Sequence, residues 1–146
     1  MIDSEPVLYI IIPTYLNSMN TGKAIAQACH AANAFVAEIE YTFDEDASTR
    51  TRYGHWKNQT KQGFGTTLVL QAETKQRFDV LMDIACKYSE CGHDTTFANT
   101  VVDPTYPIRD GEVTHLIELT TCGYIFIDKN TDSQLLEILK DYDLHV

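Results

Sequence analysis

The chain has 146 residues, 44% of them hydrophobic, which suits one domain with a sizeable core and argues against disorder. A formal net charge of −10 and a pI near 4.7 weigh against general attraction to nucleic acid, which depends on cations that neutralise phosphates. The charge is uneven, however. Residues 47–65 hold Arg50, Arg52, Lys57 and Lys61 and no acidic residue, leaving open a local basic patch on an acidic body.

The opening Met1-Ile2-Asp3-Ser4-Glu5-Pro6 is acidic where a secretory signal is basic. The apolar run from Val7 to Ile12 is far too short to cross a bilayer, so the expectation is a cytoplasmic protein with no membrane association. Cys29, Cys86, Cys91 and Cys122 form neither a C-x-x-C pair nor a zinc spacing with histidine; they read as reduced, mostly buried thiols, and no metal is expected.

Val7-Leu8-Tyr9-Ile10-Ile11-Ile12, ended by Pro13, is a continuous β-rich run, the pattern of a central strand covered on both faces. Asn17, Ser18, Asn20 and Gly22 then form a polar loop leading to a helix from near Lys23 to about Glu40. At helical spacing Lys23, Gln27 and His30 share one face, while Ile25, Cys29, Ala32, Val36 and Ile39 form a separate apolar stripe. On spacing alone the polar row is a solvent face. A strand, a polar loop and a helix N-terminus also build an anion-facing site, because free N–H groups and the helix dipole point at the loop.

Phe43-Asp44-Glu45-Asp46-Ala47-Ser48 reads as an acidic break. Behind it a helical or irregular segment carries Arg50, Arg52, Tyr53, His55, Trp56, Lys57 and Lys61. Aromatics interleaved with cations could stack on bases and grip phosphates; equally, Tyr53 and Trp56 could pack down on the body. Gly63-Phe64-Gly65 punctuates the chain ahead of a second strand from Thr66 to Gln71. Phe78, Leu81, Met82, Ala85 and Tyr88 then mark an amphipathic helix beginning at Thr74 and ended by Gly92.

His93 to Val102 supplies a third, more polar strand, after which Pro104 and Pro107 predict an irregular connection. Two short apolar runs, His115 to Leu119 and Tyr124 to Ile127, are separated by Gly123. Thr131 and Gln134 form a capping box for a closing helix with Leu135, Leu136, Ile138 and Leu139 on its inner face. This order of elements predicts a single α/β domain with a mixed sheet of about four strands and helices on both faces.

After the apolar strand and polar loop, Gly22-Lys23 with Ala26-Gln27 and His30-Ala31 closely resembles the signature helix of the type 2 peptidyl-tRNA hydrolases, G-K-x-x-A-Q-x-x-H-A. Trp56 precedes the second strand much as a tryptophan does in that family. A second family signature, I-[RQ]-D-A-G-R-T-Q, is met by the segment from Ile108 to His115 at Ile108, Arg109, Asp110 and Thr114. The resemblance covers nearly the whole chain, 1–146, in element order, with an insertion around Asp103 to Pro107.

The resemblance implies hydrolysis of the ester joining a peptide to the 3′ ribose of tRNA, with peptidyl-tRNA as the RNA partner, no cofactor, and often a homodimer. It implies Lys23, Asp110 and Thr114 as principal catalytic residues, with Gln27 and His30 as a supporting polar face. His115 stands where the family has glutamine, and Arg50, Arg52, Trp56 and Lys57 are the candidate RNA contacts. Ester hydrolysis needs a positioned water, a proton acceptor and a donor for the developing oxyanion. On this reading Asp110 is the base or orients it, Thr114 positions the water or relays its proton, and Lys23 meets the oxyanion or a phosphate.

The sequence departs from the family at Glu112 and Val113, which replace glycine and arginine, and near Tyr15, where the family has an aspartate. The family's proline-glycine turn ahead of the last strand is also absent. A register placing the family aspartate at Asp103 would put Pro107 in place of the threonine, which favours Asp110. Two other readings fit these departures. One is a non-catalytic binding module for a nucleotide, RNA end or protein partner; the other is a hydrolase of a smaller nucleotide-like ester with His115 or His30 as acid or base.

Overall fold

Every residue of Pro6–Pro13 is buried, and this strand, β1, lies in the middle of the sheet as its unbroken apolar run requires. The computed structural model describes residues 4–42, 47–91 and 96–145. The acidic break at Phe43 to Asp46, the stop at Gly92 and the strand start at His93 fall outside them. The order is β1, α1 (Thr21–Tyr41), α2 (Ala47–Lys57), β2 (Thr67–Ala72), α3 (Lys75–Glu90), β3 (Phe97–Asp110), β4 (Val113–Asp128) and α4 (Ser133–Leu139).

The strands run β2-β1-β4-β3, with β1 parallel to β2 and antiparallel to β4, and β3 antiparallel to β4. Alternation along β1 splits its side chains between two cores. Val7, Tyr9 and Ile11 meet α3 and α4 through Phe78, Leu81, Met82 and Leu135. Leu8, Ile10 and Ile12 meet α1 and α2 through Phe35, Tyr53 and Trp56. Phe35 anchors the second core, with its ring centroid 4.9 Å from Phe126 and 5.4 Å from Trp56. Trp56 satisfies its indole N–H on the Thr66 carbonyl at 2.9 Å. The loop passes so close to it that a Cβ on Gly65 would lie 2.4 Å from the Trp56 carbonyl oxygen.

Four expectations are corrected here. β3 does not end before its prolines but runs through Pro104 and Pro107 to Asp110, because an edge strand tolerates missing N–H donors. The two apolar runs either side of Gly123 are one strand, β4. The N-cap of α4 is Asp132 rather than Thr131, with the Asp132 carboxylate accepting from the Asp128 N–H at 2.7 Å. Of the four thiols Cys122 is buried and Cys86 half-buried, while Cys29 and Cys91 are exposed.

Only residues 123–128 of β4 pair with β1, so the rest of β3 and β4 continues beyond the sheet as a two-stranded ribbon. Gly111, at φ 61°, makes its tight turn. The register shifts twice, between Val101 and Val102 and between Asp103 and Tyr106. The first leaves Thr121 of β4 without a partner on β3; the second leaves Pro104 and Thr105 of β3 facing Glu118 of β4 outside the paired register. Among the described residues no helix is long and apolar enough to cross a membrane.

Candidate active site

The sheet-facing stripe of α1 is Ala24, Gln27, Ala31, Phe35 and Ile39, which shares only Ile39 with the stripe expected from spacing. Ile25, 61% exposed, and Cys29 point outward instead, because the small Ala24 and Ala31 let the helix lie close to the strands. Gln27 is therefore buried, and a buried amide needs partners. The Thr121 hydroxyl donates to Gln27 Oε1 at 2.5 Å, and Gln27 Nε2 donates to Asp103 Oδ2 at 2.8 Å. The Cys122 thiol reaches the Gln27 carbonyl at 3.4 Å.

Asp103 is the centre of this arrangement. Its other oxygen, Oδ1, accepts from the Thr105 backbone N–H at 2.9 Å and the Thr105 hydroxyl at 3.2 Å. His30 Nε2 stands 3.9 Å from Oδ2 on the open side, with half its side chain in solvent. Burial opposes ionisation of Asp103, but the hydrogen bonds from Gln27 and Thr105 and the neighbouring His30 outweigh it, so its pKa lies below the ordinary carboxylate value.

Lys23 lies one turn nearer the start of α1, where the Asn20 side chain caps the helix by accepting from the Lys23 N–H at 2.9 Å. Its ammonium donates to the Pro107 carbonyl at 2.7 Å and stands 5.1 Å from the centre of the Tyr106 ring. Tyr106 is fully buried and its hydroxyl meets Ser18 at 3.0 Å, which docks the ribbon against the loop before α1. The structure thus brings Lys23, Gln27, His30 and Asp103 to one place, at the C-terminal end of β1 and the N-terminal end of α1.

The description Peptidyl-tRNA hydrolase PTH2 matches residues 6–98. The chain belongs to this family. Among curated proteins no relative matches it. The PTH2 match contains Lys23, Gln27 and His30 and ends at the start of β3, so Asp103 and the ribbon lie beyond the matched stretch.

Asp110 and Thr114, expected beside Lys23 from the second PTH2 signature, stand near the ribbon tip. Asp110 pairs with Val113 and Thr114 with Arg109, so the two side chains leave opposite faces of the ribbon. Asp110 is exposed and faces His115 at 3.8 Å. It follows Pro107 by three residues of strand, about 10 Å. Sequence reasoning missed Thr105, Tyr106 and Thr121, and set Asp103 aside; no spacing rule identifies a residue that a bulge turns inward.

The residues expected to touch the RNA of a PTH2 substrate are largely occupied elsewhere. Tyr53 and Trp56 are buried and pack edge-on against Phe35. Arg52 pairs with the fully buried Asp128 at 2.6 Å. Lys57 reaches Glu40 at 3.4 Å and lies 5.4 Å from the Tyr53 ring centre. Glu40 belongs to the far end of α1, about 25 Å along the helix from Lys23. Arg50 stands beside Lys57 and Glu40 in a shallow surface cleft there. Among the described residues no three His, Cys, Asp or Glu side chains converge as a metal site.

Proposed function

We propose that the chain hydrolyses the ester of peptidyl-tRNA at the Lys23, His30 and Asp103 cluster, in the cytoplasm and as a homodimer. The observation that carries this reading is an ionised carboxylate held by Gln27 and Thr105 beside the imidazole of His30. The roles expected of Asp110 and Thr114 pass to Asp103 and Thr105.

In the reaction water adds to the ester carbonyl carbon and the bond from that carbon to the ribose 3′ oxygen breaks. Neutral His30 takes the proton from the water, stabilised as it charges by Asp103, and returns it to the leaving 3′ oxygen. Lys23, at the positive end of α1, releases the Pro107 carbonyl to meet the oxyanion.

The test is turnover of an N-blocked aminoacyl-tRNA at low salt, with Lys23→Ala as control. Hydrolysis by the wild type, lost in the variant with the far-UV spectrum unchanged, supports the reading. A well-folded wild type that makes no product sinks it, and tight salt-sensitive RNA retention without product would favour a binding module.

A further inference from the structure

On the α3 side of the sheet the helical layer stops short of the ribbon. α3 and α4 bury Val7, Tyr9 and Ile11 of β1 on that side, whereas Thr114, Leu116, Glu118 and Thr120, which alternate along one face of β4, are all exposed. Leu116 is 64% exposed, and Val102, opposite Thr120, is 50% exposed. Pro107 lies opposite Leu116 on the same face. Apolar side chains in a row on a bare strand pair make a patch that a partner can cover.

Where this face meets α3 it sinks into a groove of about 650 Å³. The floor is apolar. Met82 fills the space over Gly123, where a Cβ would come within 2.5 Å of the Met82 sulfur, and Phe78 and Val102 flank it. The walls are acidic: Asp79 and Asp83, one turn apart on α3, line one side, and Glu118 on β4 lines the other. Lys75, the one cation among the described lining residues, engages Asp79 at 2.5 Å. Negative charge therefore dominates both sides of an apolar trough.

We propose that this groove docks an amphipathic helix of a partner protein, with its apolar stripe on Met82, Val102 and Leu116 and with lysine or arginine along its flanks. Thr120 to Leu116 covers about 13 Å, the length of about nine helical residues and enough for anchors at i, i+3, i+4 and i+7. A helix beside α3 also extends the layer that already covers the sheet. The charge selects the sign, since acidic walls attract cations on both flanks of such a stripe and repel the phosphates of RNA. An added strand is disfavoured. The Ala98 and Thr100 N–H groups on the edge of β3 are held by Ser89 Oγ at 3.2 Å and Asn99 Oδ1 at 2.9 Å. The inference stands apart from the ester chemistry, because the groove opens on the ribbon face away from Gln27 and Asp103.

The experiment is fluorescence anisotropy of a labelled peptide of about 18 residues, with leucine at helical spacing and lysine on both flanks, titrated with the full chain. One control peptide replaces every lysine with glutamate; another keeps the composition and scrambles the spacing. The lysine peptide should bind in the micromolar range and each control at least about tenfold more weakly. Asp83→Lys, Glu118→Lys and Leu116→Asp, all at exposed positions, should each weaken binding about tenfold with an unchanged far-UV spectrum. Glu137→Lys, on α4, alters the net charge as much as Asp83→Lys does and should leave binding unchanged. Equal binding of the lysine and glutamate peptides, no loss in Asp83→Lys and Leu116→Asp, or an equal loss in Glu137→Lys overturns the proposal. Displacement of the peptide by an RNA hairpin would give the groove to RNA, and a doubled chain mass that Leu116→Asp halves, with no peptide binding, would give it to a second copy; either overturns it as well.

Discussion

Gln27 donates to Asp103 across 2.8 Å while accepting the Thr121 hydroxyl on its other side-chain atom, so one buried amide joins α1 to both strands of the ribbon root. Replacing it with leucine keeps the bulk and strips both partners of their bond. Gln27→Leu should cost about 2 kcal/mol in urea unfolding, because a buried hydroxyl and a carboxylate are each left one partner short. An unchanged midpoint would show that the amide is not needed to hold the two strands to the helix.

Asp103 and Asp110 are seven residues apart on one strand and differ in every respect that matters for proton transfer. Asp103 is buried, hydrogen-bonded and beside His30; Asp110 is exposed near a turn. Asp103→Asn should lower peptidyl-tRNA turnover by roughly 10² to 10⁴, the range of a lost acid-base group, while Asp110→Asn leaves it within about threefold. The opposite ranking in kcat would return the catalytic role to the ribbon tip.

Arg52 pairs with a buried carboxylate. Its partner Asp128 is fully buried, and Asp128 Oδ1 also accepts from the Glu5 and Asn130 N–H groups, at 3.1 Å and 3.0 Å. Arg52→Ala uncovers a buried charge and should destabilise by about 3 kcal/mol. Lys57→Ala, at an exposed pair, should change stability by less than about 1 kcal/mol. Thermal unfolding of the two variants compares them directly, and equal losses would contradict the difference in burial.

Two groups give the pH dependence opposite slopes. The pKa of Asp103 is depressed, so its stabilisation is complete above its ordinary value of 3.8 and is lost as pH falls below it. Burial pushes the Cys122 thiol from 9.0 up to about 12, so stability falls as pH rises through that window, where the unfolded chain has already released the proton. The slope from this one group approaches about 1.4 kcal/mol per pH unit. Cys122→Ala should flatten the alkaline limb of a stability-against-pH curve; an identical limb would mean that other groups account for it.

The layers and the first motif were readable because they rest on local periodicity. β1 is apolar throughout, α3 repeats its core positions, and Lys23, Gln27 and His30 sit where the helix spacing puts them. Which way α1 faces was not readable, since alanines fit either side, and the close approach of Ala24 and Ala31 to the sheet turned Ile25 outward. The prolines in β3 suggested a break because they lack N–H donors; at an edge those donors have no strand to bond. Asp110 and Gly111, read from the second signature, stand at the ribbon turn, where Gly111 adopts φ 61° and Asp110 pairs with Val113.

The bulge at Pro104 and Thr105 governs which insertions and deletions the ribbon can absorb. Asp103 and Tyr106 are three positions apart and would project from opposite sides of a regular strand, yet both serve α1: one meets Gln27, the other lies beside Lys23. Removing or adding a single residue between them would invert everything outboard, taking Tyr106 off Lys23 and turning Leu116 and Arg109 to the other side. Length changes in this segment are thus expected to survive in pairs, a parity rule that deletion libraries can read directly.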